Sequence, residues 1–444
     1  MFDNEILTTG QKLYEIRKKL NLTQEDLAEG FSRTNIYLYE KKNKKIPPDI
    51  GKIIVRKLNE KIAFSNTNLK KITLEWLLED EDTQANNLVI KYKEKLMQAK
   101  ENKEQIDGII KDINYVEILI KTYKIRKDLI LEIYTCAVEM YYSYNSIQEC
   151  KIYALKTYNM AAINKSWSYF MKAILYIIRS LYKLGQYMDI EVYAEIAIKA
   201  GQDYKIERNE DLMIIYYNTA SAFSKLEKPQ KCIEYLEYLK DFNLLPEKRF
   251  DTMLLKAVSY RKLNRYKEAE AILYKVINEA KEKENLNAIA LAYSNLATLK
   301  AKTNSLEEIF KYIDFAINIR CSNNYRVIIL HDCINSAIKC DYKKFIVENY
   351  LMAIESVLQL KDKNMINETI SQIFNYFKRN SMIEEIELLL STVSNMIFQY
   401  QITNIELGYI FLDAIEIFKG TSNKERVLDL CLKVQHTLLI RSKY

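Results

Sequence analysis

One side-chain position recurs along most of the chain. It is occupied in turn by Val138, Ile178, Ala220, Ala257, Ala297, Cys333, Phe374 and Ile415. The steps between these residues are 40, 42, 37, 40, 36, 41 and 41. A period of this length spans one helical hairpin, which cannot bury its apolar face alone and must stack on its neighbours. The clearest unit runs from Leu255 to Ala280. Ala257 and Tyr260 lie on its first helix; Tyr266, Ala269, Leu273 and Val276 lie on its second, each set at helical spacing. Breakers are scarce, with 8 Gly and 4 Pro in 444 residues. The turns are therefore expected to be short and polar rather than Gly- or Pro-rich. The length exceeds what one hydrophobic core can organise.

Other segments fit the same frame. Tyr182 to Tyr187 with Ala194 and Ala197 is one; Ala220 and Phe223 with Cys232, Leu236 and Leu239 is another. Ala297 with Ile309, Ile313 and Ala316 is a third. Small and aromatic residues at fixed offsets resemble the tetratricopeptide pattern, although the step is longer than the usual ~34 residues. The resemblance implies an all-α chain whose main part is a right-handed α-solenoid of about eight helical hairpins, its concave face lined by first helices. Most of the Met, Tyr and Phe stripe is then core.

The first 62 residues differ. They hold 13 Lys/Arg against 9 Asp/Glu, a balance of +4 within a whole-chain charge of +7. An uneven basic excess suits a segment that meets phosphate. Leu13, Ile16 and Leu20 share a helical face. Thr23, with Asp26 three residues on, reads as a cap opening a short second helix, with Leu27 and Ala28 inward. Gly30-Phe31 makes a turn. Ser32 caps a third helix, Arg33 to about Lys42, with Ile36 and Tyr39 inward. Ile46-Pro47-Pro48-Asp49 opens a fourth.

The run Leu22 to Ala28, followed by Ser32 to Glu40, resembles the phage-repressor-like (Xre) helix-turn-helix family. The turn is shorter than the family's. The resemblance implies that Gln24 bonds a phosphate, that Arg33, Thr34 and Tyr37 face the major groove, and that Asn35 lies near the DNA backbone. It also implies that Arg17 pairs with Glu40. Recognition helices read bases with their N-terminal residues, and Arg can bond guanine O6 and N7 together. Ser32 completes the start of that helix. Lys41, Lys42, Lys44 and Lys45 follow it and suit phosphate neutralisation. The expected organisation is thus a DNA-binding domain over residues 1–65, connector helices over 66–114, and the repeat domain over 115–444. Within the connector, Leu74 to Leu78 is an apolar patch, and Glu79 to Asp82 is an acidic loop that is either solvated or in touch with the basic domain.

Little in the chain points to catalysis. The glycines do not form a GxGxxG or phosphate-loop motif. Only His331 and His436 are present, and His331-Asp332-Cys333 with Cys340 lacks zinc-site spacing. No metal or other cofactor is expected, and the chain reads as no enzyme. The seven Cys are dispersed, as in reduced core thiols. No apolar run is long enough to span a membrane and the N-terminus carries no apolar signal segment, so a cytoplasmic location is expected.

The concave face offers a binding groove instead. Two residues before and one after each recurring position, side chains should point inward. These positions include Tyr176, Arg179, Asn218, Asn295, Gln372 and Asn375. Amides both donate and accept, so Asn218, Asn295, Gln372 and Asn375 suit an extended peptide backbone. Arg179 or Lys172 suits a terminal carboxylate. A repressor-like domain followed by such repeats resembles the peptide-pheromone-sensing regulators of Gram-positive bacteria, the RRNPP group. That resemblance implies a quorum-sensing transcriptional regulator, a homodimer on a paired double-stranded DNA site with a short signalling peptide in the groove. The alternative is a DNA-binding regulator whose array takes a protein partner.

Overall fold

A computed structural model describes residues 5–42, 44–65, 69–102, 106–205, 210–303, 305–360, 363–400 and 406–418, with 425, 428, 429 and 432. Cys431 and His436 lie outside the described residues. Every regular element among the described residues is helical. The order is α1 (Thr9–Lys19), α2 (Arg33–Lys42), α3 (Pro48–Ala63), α4 (Leu74–Leu78), α5 (Glu81–Asn102), α6 (Ile106–Thr122), α7 (Lys127–Ser143) and α8 (Ile147–Asn164). It continues with α9 (Trp167–Lys183), α10 (Ile190–Tyr204), α11 (Glu210–Lys225), α12 (Pro229–Glu237), α13 (Pro246–Lys262), α14 (Tyr266–Glu282) and α15 (Leu286–Thr303). The last are α16 (Leu306–Asn318), α17 (Asn323–Lys339), α18 (Lys343–Leu360), α19 (Lys363–Arg379), α20 (Ile383–Tyr400) and α21 (Glu406–Phe418).

The chain divides into two compact units, residues 1–218 and 219–444, and the division falls inside α11. The boundaries expected near residues 65 and 114 both fall within the first unit.

The recurring position falls on every second helix from α7 to α21. Val138, Ile178, Ala220, Ala257, Ala297, Cys333 and Phe374 are each buried. Small residues there let neighbouring helices approach closely, which is why Ala occupies three of those seven places. The last position shifts by one residue: Ala414 is fully buried, whereas Ile415 is only partly so. Within the first unit α7/α8 and α9/α10 pack as hairpins, and within the second α13/α14, α15/α16, α17/α18 and α19/α20 do. The expected connector also forms a hairpin, because α5 pairs with α6 and packs on α7.

The scarcity of glycine has a structural answer. Six of the turns between a first and a second helix hold one residue of positive φ: Asn145, Gly185, Glu227, Asn264, Asp341 and Ser381. The next N–H then reaches back to a carbonyl five residues earlier, as in Ser146 to Tyr141, Gln186 to Leu181 and Arg265 to Tyr260, each at 2.9 Å. This is the Schellman closure of a helix end. Asn and Asp tolerate the left-handed region better than other side chains. Only Gly185 takes the residue that makes the turn free of strain.

Candidate functional site

The N-terminal core is built from Leu13, Ile16, Leu20, Leu27, Ile36, Tyr39, Ile54 and Leu58, closed by Ile72 and Leu77. Leu77 belongs to α4, so the apolar patch expected in the connector completes this core. Thr8 caps α1 and exchanges bonds with Gln11, the reciprocal arrangement that satisfies two orphan donors. The expected second helix is a single turn over 24–27. Its cap is still made: Asp26 N donates to Thr23 Oγ1 at 3.2 Å, and Thr23 N donates to Asp26 Oδ2 at 2.7 Å. Gly30, with φ of 73°, takes the left-handed conformation between this turn and α2.

α2 is held from behind. Arg17 Nε and Nη2 donate to the two carboxylate oxygens of Glu40 at 2.6 and 2.8 Å. Both side chains are buried, and the bond to Glu40 holds the Arg17 pKa above its ordinary value. Arg17 Nη1 also donates to Leu22 O at 2.9 Å. The pairing implied by the family resemblance is therefore present. Gln24, expected at a phosphate, donates its amide to Glu40 Oε2 at 2.9 Å.

The opposite edge of α2 faces outward. Ser32, Arg33 and Thr34 are exposed, and Tyr37 keeps 45% of its surface open. Ser32 Oγ accepts from Thr34 N at 3.1 Å, fixing the start of the helix. Asn35 is half-buried. Lys41, Lys42, Lys44 and Lys45 are exposed, and Lys41 Nζ lies 4.6 Å from the Tyr14 ring centre.

The acidic run does touch this domain. Lys12 is buried beneath Trp76 and bonds the carbonyls of Trp76 and Glu79. Burial pulls the Lys12 pKa down, against the opposing pull of Glu79, Glu81 and Asp80.

In the first unit, three of the expected groove residues come together on α9. Lys172 pairs with Glu139 of α7. Tyr176 meets Tyr142 edge to face at 5.4 Å, and Arg179 lies 5.2 and 5.6 Å from those two rings. Asp211, on α11, lies within the field of Lys172 and Arg179, while burial pushes its carboxyl up. Burial also pushes Tyr176 up to about 12, with Glu139 adding to it. Asn218 is half-buried on α11. The result is a polar and aromatic strip of both charge signs, suited to a peptide carrying backbone amides and charged ends.

The second unit has its own polar strip. His331 Nδ1 lies 2.6 Å from Thr369 Oγ1, and Asn335 Nδ2 lies 3.0 Å from His331 Nε2. With the Asn335 amide donating, Nε2 accepts and Nδ1–H donates to Thr369. Gln372 donates to Glu368 at 3.1 Å, and Asn375 is exposed. Asn295 is buried and turns its amide to Leu291 O at 2.9 Å, within its own helix. Two residues that the inward positions did not include stand out. Arg261 Nη1 and Asn335 Oδ1 are buried with no hydrogen-bond partner among the described residues. Burial pulls Arg261 down, and Asp332 of α17 opposes it across α15. Arg261 lies three residues after the inward position that follows Ala257, one turn further along that face; extending the inward positions by a turn would have found it.

Among the described residues no group of three or more His, Cys, Asp or Glu is placed to hold a metal ion, and no helix is long and apolar enough to cross a membrane. Cys333 is fully buried, and burial raises its thiol well above the ordinary value.

No protein-family model matches the chain. The regulatory protein RapD of Bacillus subtilis (strain 168) is 24% identical over 201 residues, 44% of this chain and 56% of RapD. The match thus spans about half the length of that relative. A Rap protein complexed with Competence and Sporulation Factor shares 13% identity at a TM-score of 0.42, covering 78% of this chain and 99% of that one. The apo form of RapI shares 12% at a TM-score of 0.42, covering 75% and 98%. The chain is all-helical over its described residues and, over less than half its length, similar in sequence to a Rap regulatory protein.

Proposed function

We propose that this chain is a cytoplasmic transcriptional regulator, a homodimer that reads operator DNA with α2 and answers to a short signalling peptide bound in the repeat array. One observation carries the reading. The outward edge of α2, with Ser32, Arg33, Thr34 and Tyr37, is exposed while its inner side is pinned by the buried Arg17–Glu40 pair. A helix fixed from behind, with polar residues at its exposed start and lysines after its end, has the parts needed for base contact and phosphate contact. Sequence similarity to a regulatory protein is in keeping with it.

The array's role rests on its polar strips. Lys172, Tyr176, Arg179 and Asn218 serve in the first unit; Asn295, Gln372 and Asn375 serve in the second, with Arg261 and Asn335 added. Buried polar atoms without partners are costly, so a peptide that supplies a carboxylate to Arg261 and an N–H to Asn335 Oδ1 gains where other chains do not. In this reading the chain performs no catalysis. A peptide can shift DNA binding only if it prefers one conformation of the array.

The test is binding of the full chain to the DNA upstream of its own gene, with and without synthetic peptides from neighbouring short reading frames. Arg33→Ala should remove sequence preference and leave the fold intact. Unchanged operator selectivity in that variant overturns the base-reading role. Specific DNA binding that no peptide alters moves the array to a protein partner.

A further inference from the structure

Second helices of the second unit run 17, 13 and 18 residues at α14, α16 and α18. α12 is different: it stops after 9 residues and ends in a 3₁₀ turn over Tyr238–Asp241. The layer of second helices is therefore incomplete between α12 and α14, above α13. A cavity of about 430 Å³ opens there. Its floor is apolar, with Leu239, Met253 and Ile272. Its rim is cationic, with Lys240, Arg249, Lys256 and Lys275.

The charges around it do not balance. Lys240 and Lys256 share Glu237. Arg249 and Lys275 share Glu279, at 3.0 and 3.9 Å. Among the described side chains, four cations thus divide two carboxylates, which leaves a field that favours one more anion. The volume falls in the range of small-ligand sites, which combine an apolar wall with a few convergent polar groups. A purely polar anion leaves the floor wet, and a neutral apolar molecule leaves the rim unanswered.

We propose that this cavity binds an amphipathic carboxylate, with its chain against Leu239, Met253 and Ile272 and its head among Arg249, Lys256 and Lys275. The site is independent of the polar strips assigned to a peptide and does not rest on that reading. Isothermal titration of the full chain with dodecanoate, dodecanol and acetate tests it. Dodecanoate should bind saturably, one per chain. Dodecanol and acetate, each lacking one half of the match, should bind at least about tenfold more weakly. Arg249→Gln should weaken dodecanoate about tenfold, the loss of one charge-assisted contact. Met253→Trp, which fills the floor, should abolish binding while the thermal melt remains cooperative; if that variant does not fold, Arg249→Gln decides. Absence of dodecanoate binding, equal affinity for dodecanol, or affinity unchanged in Arg249→Gln overturns the proposal.

Discussion

Lys12 of α1 is fastened to the chain leaving α4. Its Nζ donates to the carbonyl oxygens of Trp76 at 2.8 Å and Glu79 at 2.9 Å, lies 5.0 Å from the Trp76 ring centre, and is almost wholly buried. Gln84 of α5 makes a second fastening, exchanging bonds with the backbone of Leu7 at 3.1 and 2.9 Å. The N-terminal helices are thereby tied at two points, once to the end of α4 and once to α5.

Lys12→Ala removes the donor from both carbonyls and leaves a void under Trp76. The expected cost is about 1–3 kcal/mol, confined to the α1–α4 contact. Amide exchange should report it. The Leu77 amide, bonded to Thr73 O at 3.1 Å, should exchange roughly tenfold faster or more, with Leu13 in α1 little changed. Equal protection of Leu77 in variant and parent would show that the fastening contributes nothing.

The Arg17–Glu40 pair should be costly to break from one side. Glu40 is buried and accepts from Arg17 twice and from Gln24 once. Arg17→Met strands a buried carboxylate, with an expected loss of about 3–5 kcal/mol, and Arg17→Met with Glu40→Leu should regain most of it. The chain has two Trp, so Trp76 fluorescence in a Trp167→Phe background follows this domain through urea unfolding. A double variant as unstable as the single one would mean that packing, not the stranded charge, sets the cost.

The two pairs also differ in how far the amino-acid pattern foretells them. Arg17 with Glu40 was legible because it is part of a resemblance spanning the whole domain. Lys12 was not: whether a lysine is buried depends on what covers it, and Trp76 is 64 residues away. The hairpin register was legible because Ala257 and Ala297 must be small for helices to close. It slipped only in α21, where Ala414 rather than Ile415 is fully buried. The α5–α6 hairpin was hidden by its Lys- and Glu-rich outer face, although Ile109, Ile113, Val116 and Leu119 bury one side of α6. The second helix expected in the N-terminal domain is only a turn over 24–27, because a sound cap at Thr23 says where a helix can start, not how far it runs. The cavity over α13 was illegible, since it arises from where α12 stops.

Alkali should unfold the array through its tyrosines. Tyr134, Tyr141 and Tyr350 are buried, and burial pushes each from an ordinary value of 10.0 up to about 12. The folded state therefore keeps protons that the unfolded chain releases above pH 10. Their stabilising contribution is complete below that pH and is lost as the pH climbs towards 12. Phenolate absorbance and far-ultraviolet circular dichroism should thus change together in that window. Full phenolate titration near pH 10 with helicity intact would contradict the burial of these rings.

Under the DNA-reading proposal, α2 and the residues after it should divide labour between specificity and salt dependence. Lys44 and Lys45 are exposed beyond the helix end, placed for phosphate rather than for bases. Removing one phosphate contact lowers the slope of log affinity against log salt by about 0.9. Lys44→Ala with Lys45→Ala should therefore reduce that slope by about 2 and weaken specific and random DNA alike. Arg33→Ala should behave in the opposite way, costing about 1–3 kcal/mol on the preferred site and little on random DNA. Fluorescence anisotropy across a salt series, on both DNAs, separates the two. If the double lysine variant keeps the parent's slope, these side chains do not meet phosphate, and the DNA lies elsewhere on the domain.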